Sequence, residues 1–144
     1  METWIRPMQF ADQGAVSDLL TEGNLSADLQ RTSIRLTAWL EGKLVGFCAV
    51  EIWGEHASLR GLIVSKDMRK RGIGKVLVAE AVKSSRRFRG VEQVFAYTLF
   101  WNIRFYEGCG FKRIAKDSAP PSIKECADFH DPHYKYCSLL RRAD

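Results

Sequence analysis

Val64-Ser65-Lys66-Asp67-Met68-Arg69-Lys70-Arg71-Gly72-Ile73-Gly74-Lys75 is the stretch whose reading decides the fold. The apolar run from Leu59 to Val64 enters it as a strand, and the apolar run from Val76 to Val82 leaves it as a helix. A strand that turns through glycine into a helix aims free backbone N–H groups at one point, beside the positive end of the helix dipole. Arg69, Lys70, Arg71 and Lys75 add full positive charge. The segment reads as an anion cradle fit for a phosphorylated cofactor. The plain alternative is a tight turn at Gly72 and Gly74 beside a solvated charge run. Two known phosphate motifs do not fit. A Walker loop needs Ser or Thr after its Gly-Lys, and Val76 follows Lys75. A dinucleotide fingerprint needs a third glycine where Leu77 stands.

The rest of the composition agrees with one soluble domain. The chain has 144 residues, 46% hydrophobic and 27% charged, enough for one sizeable core and too apolar for a disordered chain. No apolar run reaches the ~18 residues of a membrane span, so no membrane partner is expected. Met1-Glu2-Thr3-Trp4 lacks a basic head followed by an apolar stretch, so no secretory signal is expected. Cys48, Cys109, Cys126 and Cys137 are scattered without a Cys-x-x-Cys pair, and a reduced, cytoplasmic setting follows as the expectation. The net charge of +5 favours an anionic partner: a phosphorylated cofactor, an acidic substrate or nucleic acid.

Outward from the central stretch, the pattern alternates strand and helix. Trp4 to Met8 reads as a first strand, placed at an edge by Pro7. A helix over Ala11–Leu20 follows, with Asp12 as its expected N-cap, and Gly23-Asn24 ends it. Leu25 to Arg31 suits a second short helix. Ser33–Leu40, Leu44–Trp53 and Ala57–Val64 read as three strands joined by tight turns, an antiparallel meander. A helix over Gly74–Arg87 leads to a strand over Val91–Leu99, a connection that makes flanking strands parallel neighbours. Ile103–Cys109 is a short helix stopped by Gly110. Phe111–Ala115 and Tyr134–Leu140 are the last strands, with a Pro- and Asp-rich loop between.

Two signatures on these elements carry a resemblance. After the central strand stands Arg69-x-x-Gly72-x-Gly74. After the next strand stands Phe105-Tyr106-Glu107-Gly108-Cys109-Gly110-Phe111. In this order, on these elements, the chain resembles the GNAT superfamily of acetyl-CoA-dependent N-acetyltransferases over nearly its whole length. Gly54 to Val64 and Ala119 to Lys124 look like the small amino-acid branch, with N-acetylglutamate-synthase-like and arsenic-resistance-associated members. The resemblance implies a single α/β (α+β) domain: a mixed, mostly antiparallel sheet of 6 to 7 strands with about four helices. It also implies that the fourth and fifth strands splay to admit coenzyme A.

It implies site residues as well. Backbone N–H groups of Arg71, Gly72, Ile73, Gly74 and Lys75 would hold the cofactor diphosphate, with Arg69 and Lys70 adding charge. Leu62, Ile63 and Val64 would offer main-chain contacts to the pantetheine arm. Where many relatives carry an Asn for that arm this chain has Leu99, so Asn102 is the candidate replacement. Tyr106 matches the tyrosine that assists thiolate departure; its plain alternative is aromatic packing beside Phe105.

The acceptor side rests on the residues themselves. Acyl transfer to an amine needs proton removal and a donor for the oxyanion. Glu51, inside an apolar strand, is the candidate base, and a solvated outward carboxylate is the alternative. Glu55 and His56, in the turn before the next strand, could also approach the acceptor side, and many members of the resembled family deprotonate the amine through water. Arg60, mid-strand between Leu59 and Leu62, could grip a substrate carboxylate with its fork, or could be a surface arginine. Arg35 raises the same question on a neighbouring strand. Together they suggest a small amino acid as acceptor. Protein or peptide N-acetylation, and a non-catalytic acyl-CoA or nucleic-acid binding module, stand as alternatives. A homodimer is compatible with the sequence, which fixes no oligomeric state. Cys126, His130, His133 and Cys137 do not follow the tandem spacing of structural zinc sites, so no metal is expected.

Overall fold

The computed structural model describes residues 2–23, 32–88, 90–125, 127–130, 132 and 135–143. Its centre is a seven-stranded sheet. The strands are β1 (Trp4–Pro7), β2 (Ile34–Leu40), β3 (Lys43–Trp53), β4 (His56–Val64), β5 (Gln93–Thr98), β6 (Lys112–Ile114) and β7 (Ser138–Ala143). They lie in the order β1-β2-β3-β4-β5-β7-β6. All neighbours pair antiparallel except β4 and β5, which run parallel. Pro7 ends an edge strand, where its missing N–H costs the ladder nothing.

The meander is set by its turns. Glu41 (φ 50°) and Gly42 (φ 77°) both sit in the left-handed region between Leu40 and Lys43, the two-residue turn whose twist matches a hairpin. Gly54 (φ 55°) and Glu55 close the next hairpin between Trp53 and His56.

Helices cover both faces. Helix α1 (Gln13–Glu22) buries Val16, Leu19 and Leu20 against Phe47, Ala49 and Ile63. Helix α2 (Ile73–Ser85) covers the other face with Ile73, Leu77, Val78, Ala81 and Val82, a helical stripe that meets Leu36, Val45, Val50 and Leu59. A Cβ at Gly46 would stand 2.8 Å from Leu77 Cδ1, so the absent side chain lets α2 approach β3 closely. Leu77 is fully buried in this contact. Leu77→Ala is expected to lower unfolding free energy by about 2–5 kcal/mol, read from urea melts.

Helix α3 (Ile103–Gly108) continues a 3-10 turn over Phe100–Asn102. The loop before the last strand contains two single-turn helices, α4 (Pro121–Lys124) and α5 (Ala127–His130). Pro121 occupies the first helical position of α4, where no N–H is needed. Ala119 and Ile123 pack with Phe95 and Leu139 on the α1 face of the sheet.

Three local expectations are corrected. Asp12 does not cap α1 with its side chain. Its carboxylate takes a bidentate grip from Arg6 (2.7 and 3.1 Å) and the Gln9 N–H at 2.8 Å, which hold it below the usual carboxylate range. Helix α2 runs over Ile73–Ser85 rather than Gly74–Arg87. The last strand is Ser138–Ala143 rather than Tyr134–Leu140. Its alternation continues through half-buried Arg141 and Arg142, whose apolar stems lie on the sheet, and β7 slots between β5 and β6. The suggested helix at Leu25–Arg31 lies outside the described residues.

Candidate functional site

The parallel pair β4–β5 opens a slot in the sheet. Register partners are confined to His56–Gln93, Ala57–Val94 and Ser58–Phe95. From Leu59 to Val64 the strand has β3 as its partner on one side and no ladder to β5 on the other. A bulge sharpens the divergence. Phe47 and Ala49 of β3 face Ile63 and Arg60 of β4, so β4 carries one extra residue there. Gly61, at φ 63°, supplies the left-handed backbone. Such a bulge leaves the extra residue out of the ladder and bends the strand.

The slot's wide end is where β4 delivers the chain to the glycine turn. Lys66–Met68 form a 3-10 turn, Lys70 (φ 66°) and Gly72 (φ 82°) are left-handed, and α2 begins at Ile73. No side chain caps α2. The first intrahelical bond runs from the Val76 N–H to the Gly72 carbonyl at 3.1 Å. The N–H groups of Ile73, Gly74 and Lys75 therefore precede the helix's own ladder and face outward.

The two glycines serve different ends. Gly72 is required by its backbone angle, and the space where its Cβ would stand is open. Gly74 is required by packing: a Cβ there would meet Phe105 Cζ at 3.3 Å and Val64 Cγ2 at 3.5 Å. Arg69, itself exposed, ties the turn to the end of β4, its Nε donating to the Val64 carbonyl at 3.2 Å. Lys70 and Arg71 are exposed.

Tyr106 stands on α3, buried in the main core. Phe105 and Phe111 meet its ring edge-on at 5.1 and 5.6 Å. Burial, with smaller contributions from Cys48 and Cys109, raises its hydroxyl above the ordinary phenol range. Burial pushes the Cys48 thiol up to about 12, so it packs as a small neutral group. Asn102 is exposed at the start of α3 and makes no side-chain cap bond.

The acceptor candidates share one face. Arg35, Ala49 and Arg60 are register partners across β2, β3 and β4, so their side chains form one row. Ala49 packs with α1, which assigns the row to the α1 face. In the next row, Glu51 faces Ser58 and Ser58 faces Phe95. Arg35 and Arg60 are half-buried, while Glu51 and Ser58 are buried. Glu51 Oε2 accepts from Trp53 Nε1 at 2.8 Å, and Arg35 Nε donates to Thr32 Oγ1 at 3.1 Å. A third row holds His56, whose Nδ1 is hydrogen-bonded with Ser122 of α4. The alternation left open in the sequence thus resolves to one strip of polar groups between the α1 and α4 coverings.

Ser58, the Gly61 bulge and the His56–Ser122 bond were missed from the sequence. A glycine in mid-strand was the available signal for the bulge; nothing local marks the other two. Cys126 and His133 lie outside the described residues, and His130 Nε2 bonds with the Lys124 carbonyl at 2.7 Å. Among the described residues no cluster suited to a metal ion occurs, and no helix is long and apolar enough to cross a membrane.

With the split sheet and the uncapped, glycine-hinged helix start in place, residues 2–111 match the model of the acetyltransferase (GNAT) family. The chain belongs to that family, whose members are acetyl-CoA-dependent acyltransferases. It is 32% identical over 141 residues to an uncharacterized N-acetyltransferase of Chlorobaculum tepidum, covering 88% of this chain and 87% of that one. Among solved structures it is similar to N-acetylglutamate synthase from Neisseria gonorrhoeae complexed with coenzyme A and N-acetyl-glutamate. That likeness has a TM-score of 0.83 at 19% identity and covers 99% of this chain, which spans only 35% of the synthase. PaiA N-acetyltransferase from Thermoplasma acidophilum, in complex with coenzyme A, matches with a TM-score of 0.71 at 17% identity over 100% of both chains.

Proposed function

We propose that the chain transfers an acetyl group from acetyl-CoA to the amine of a small, carboxylate-bearing amino acid or amino-acid-like compound. The carrying observation is the shared row of Arg35 and Arg60 on the α1 face, beside the slot between β4 and β5. The donor's diphosphate sits on the N–H groups of Arg71, Gly72, Ile73, Gly74 and Lys75, with Lys70 and Arg69 as nearby charge. Its pantetheine arm lies along Leu62, Ile63 and Val64 as an added strand, with Asn102 at its outer side. The bulge at Gly61 supports this reading, because it turns backbone donors out of the ladder where a thioester carbonyl would lie.

The acceptor enters on the α1 face. β2 and β4 are two strand spacings apart, about 10 Å, which lets two long guanidinium arms converge on one carboxylate. Glu51, fixed by Trp53, takes the amine proton directly or through water. The amine nitrogen bonds to the acetyl carbon, the thioester C–S bond breaks, and the CoA thiolate departs. Tyr106, protonated at neutral pH, donates a hydrogen bond to that sulfur. Protein N-acetylation uses the same donor chemistry but has no need of paired arginines at the acceptor end.

Thiol release from acetyl-CoA across amino acids, their carboxamides and peptides tests the reading. Turnover should favour free carboxylates. Arg60→Ala should raise KM for such an acceptor roughly tenfold, the worth of a charge-assisted hydrogen bond, with a smaller effect on KM for acetyl-CoA. Equal rates with acids and amides would contradict the acceptor assignment.

A further inference from the structure

Phe100 and Trp101 are 76% and 62% exposed, although aromatic rings of this size are normally well covered. They stand together at the cofactor end of the sheet, in the 3-10 turn that runs from β5 into α3. Their rings meet edge to face at 5.1 Å and 80°, so each limits the other's rotation. Trp101 precedes Phe105 by four residues, across the junction between that turn and α3. Phe105 is the ring that fills the space beside Gly74. The exposed pair thus stands a few residues ahead of the ring that borders the glycine turn.

We infer that Trp101, braced by Phe100, is a stacking platform for the adenine of coenzyme A. The inference rests on the donor reading above and adds a ligand contact to it. If the diphosphate is held at residues 71–75 and the pantetheine arm runs into the slot, the adenosine must leave the cradle on the outer side. An exposed indole offers a flat π-face to a purine there, and exposed Arg104 adds positive charge on the same segment for the 3′-phosphate. Base–aromatic stacking is sequence-tolerant, and its loss on alanine substitution costs roughly 5- to 150-fold in affinity.

The test is calorimetric titration of CoA into wild type, Trp101→Ala and Trp101→Phe, with intrinsic fluorescence in parallel and sedimentation as a control. Trp101→Ala should raise Kd about tenfold, Trp101→Phe should restore most of the loss, and CoA should quench a fluorescence component that both variants lack. Melting temperature should stay unchanged, since the ring is exposed. Unchanged affinity in Trp101→Ala, or a quench that survives in both variants, would overturn the platform. A change of oligomeric state with CoA affinity intact would overturn it too and assign the patch to a second copy. Absence of CoA binding by the wild type would instead remove the donor reading itself.

Discussion

Tyr106→Phe should lose about two to four orders of magnitude in kcat while binding CoA almost as wild type does. The range is that of removing one positioned proton-transfer group. The separation between turnover and affinity follows from where the ring sits. The phenyl body of Tyr106 packs in the core against Phe105 and Phe111, and phenylalanine keeps those edge contacts. Only the hydroxyl is lost, the group proposed to serve the departing sulfur. The direction of the pKa shift sets the pH behaviour. Burial raises the Tyr106 hydroxyl, so it stays protonated throughout the range where a free phenol begins to ionise, near 10. Turnover should therefore rise with pH as the acceptor amine loses its proton, and should not fall near 10 through Tyr106. The stability sign is opposite. The folded state holds that proton more tightly than the unfolded chain, so stability is fully present below about 10 and declines above it. Stopped thiol-release assays and urea melts across that range check both. A hydroxyl-less variant with unchanged kcat would assign Tyr106 to packing alone.

Gly72→Val should weaken CoA binding by about two orders of magnitude, the worth of one to two charge-assisted hydrogen bonds. Gly72 sits at φ 82°, where a β-branched residue is strained by about 1–2 kcal/mol. The free protein has room for the side chain, since nothing lies within 4 Å of a Cβ there. Folding should therefore persist with a lower melting temperature. Relief of that strain should shift the start of α2 and misalign its free N–H groups. Gly14→Ala is the control: it lies in α1 with no neighbour within 4 Å of a Cβ and no positive φ. It should leave CoA affinity unchanged. Calorimetry on the three proteins distinguishes a general glycine effect from one at the cradle.

The fold was legible because its signals were local. Helical periodicity in Val76–Val82, the Glu41-Gly42 and Gly54-Glu55 turns and the glycine pair after Val64 each determine a short piece of backbone, and their order then constrains the topology. The strand that ends the chain was displaced because its register depends on neighbours distant in sequence, and Arg141 and Arg142 hide a strand behind charge. The glycine turn between β4 and α2 was legible as a unit, but not the separate parts its residues play. That Gly74 exists for Phe105, and that Arg69 bonds back to Val64, depends on a helix about thirty residues later and on the exit angle of β4. The polar strip on the α1 face was legible only as isolated charges. Sequence alternation could not choose a face for Glu51, Arg35 or Arg60. Cross-strand register does, through the shared partner Ala49 and its contact with α1.

A crystal structure grown with CoA tests the central claim most directly. Diphosphate oxygens should lie on the N–H groups of residues 71–75, and the pantetheine arm between β4 and β5 beyond Ser58. Coenzyme A bound elsewhere on the molecule, with that helix start empty, would contradict it.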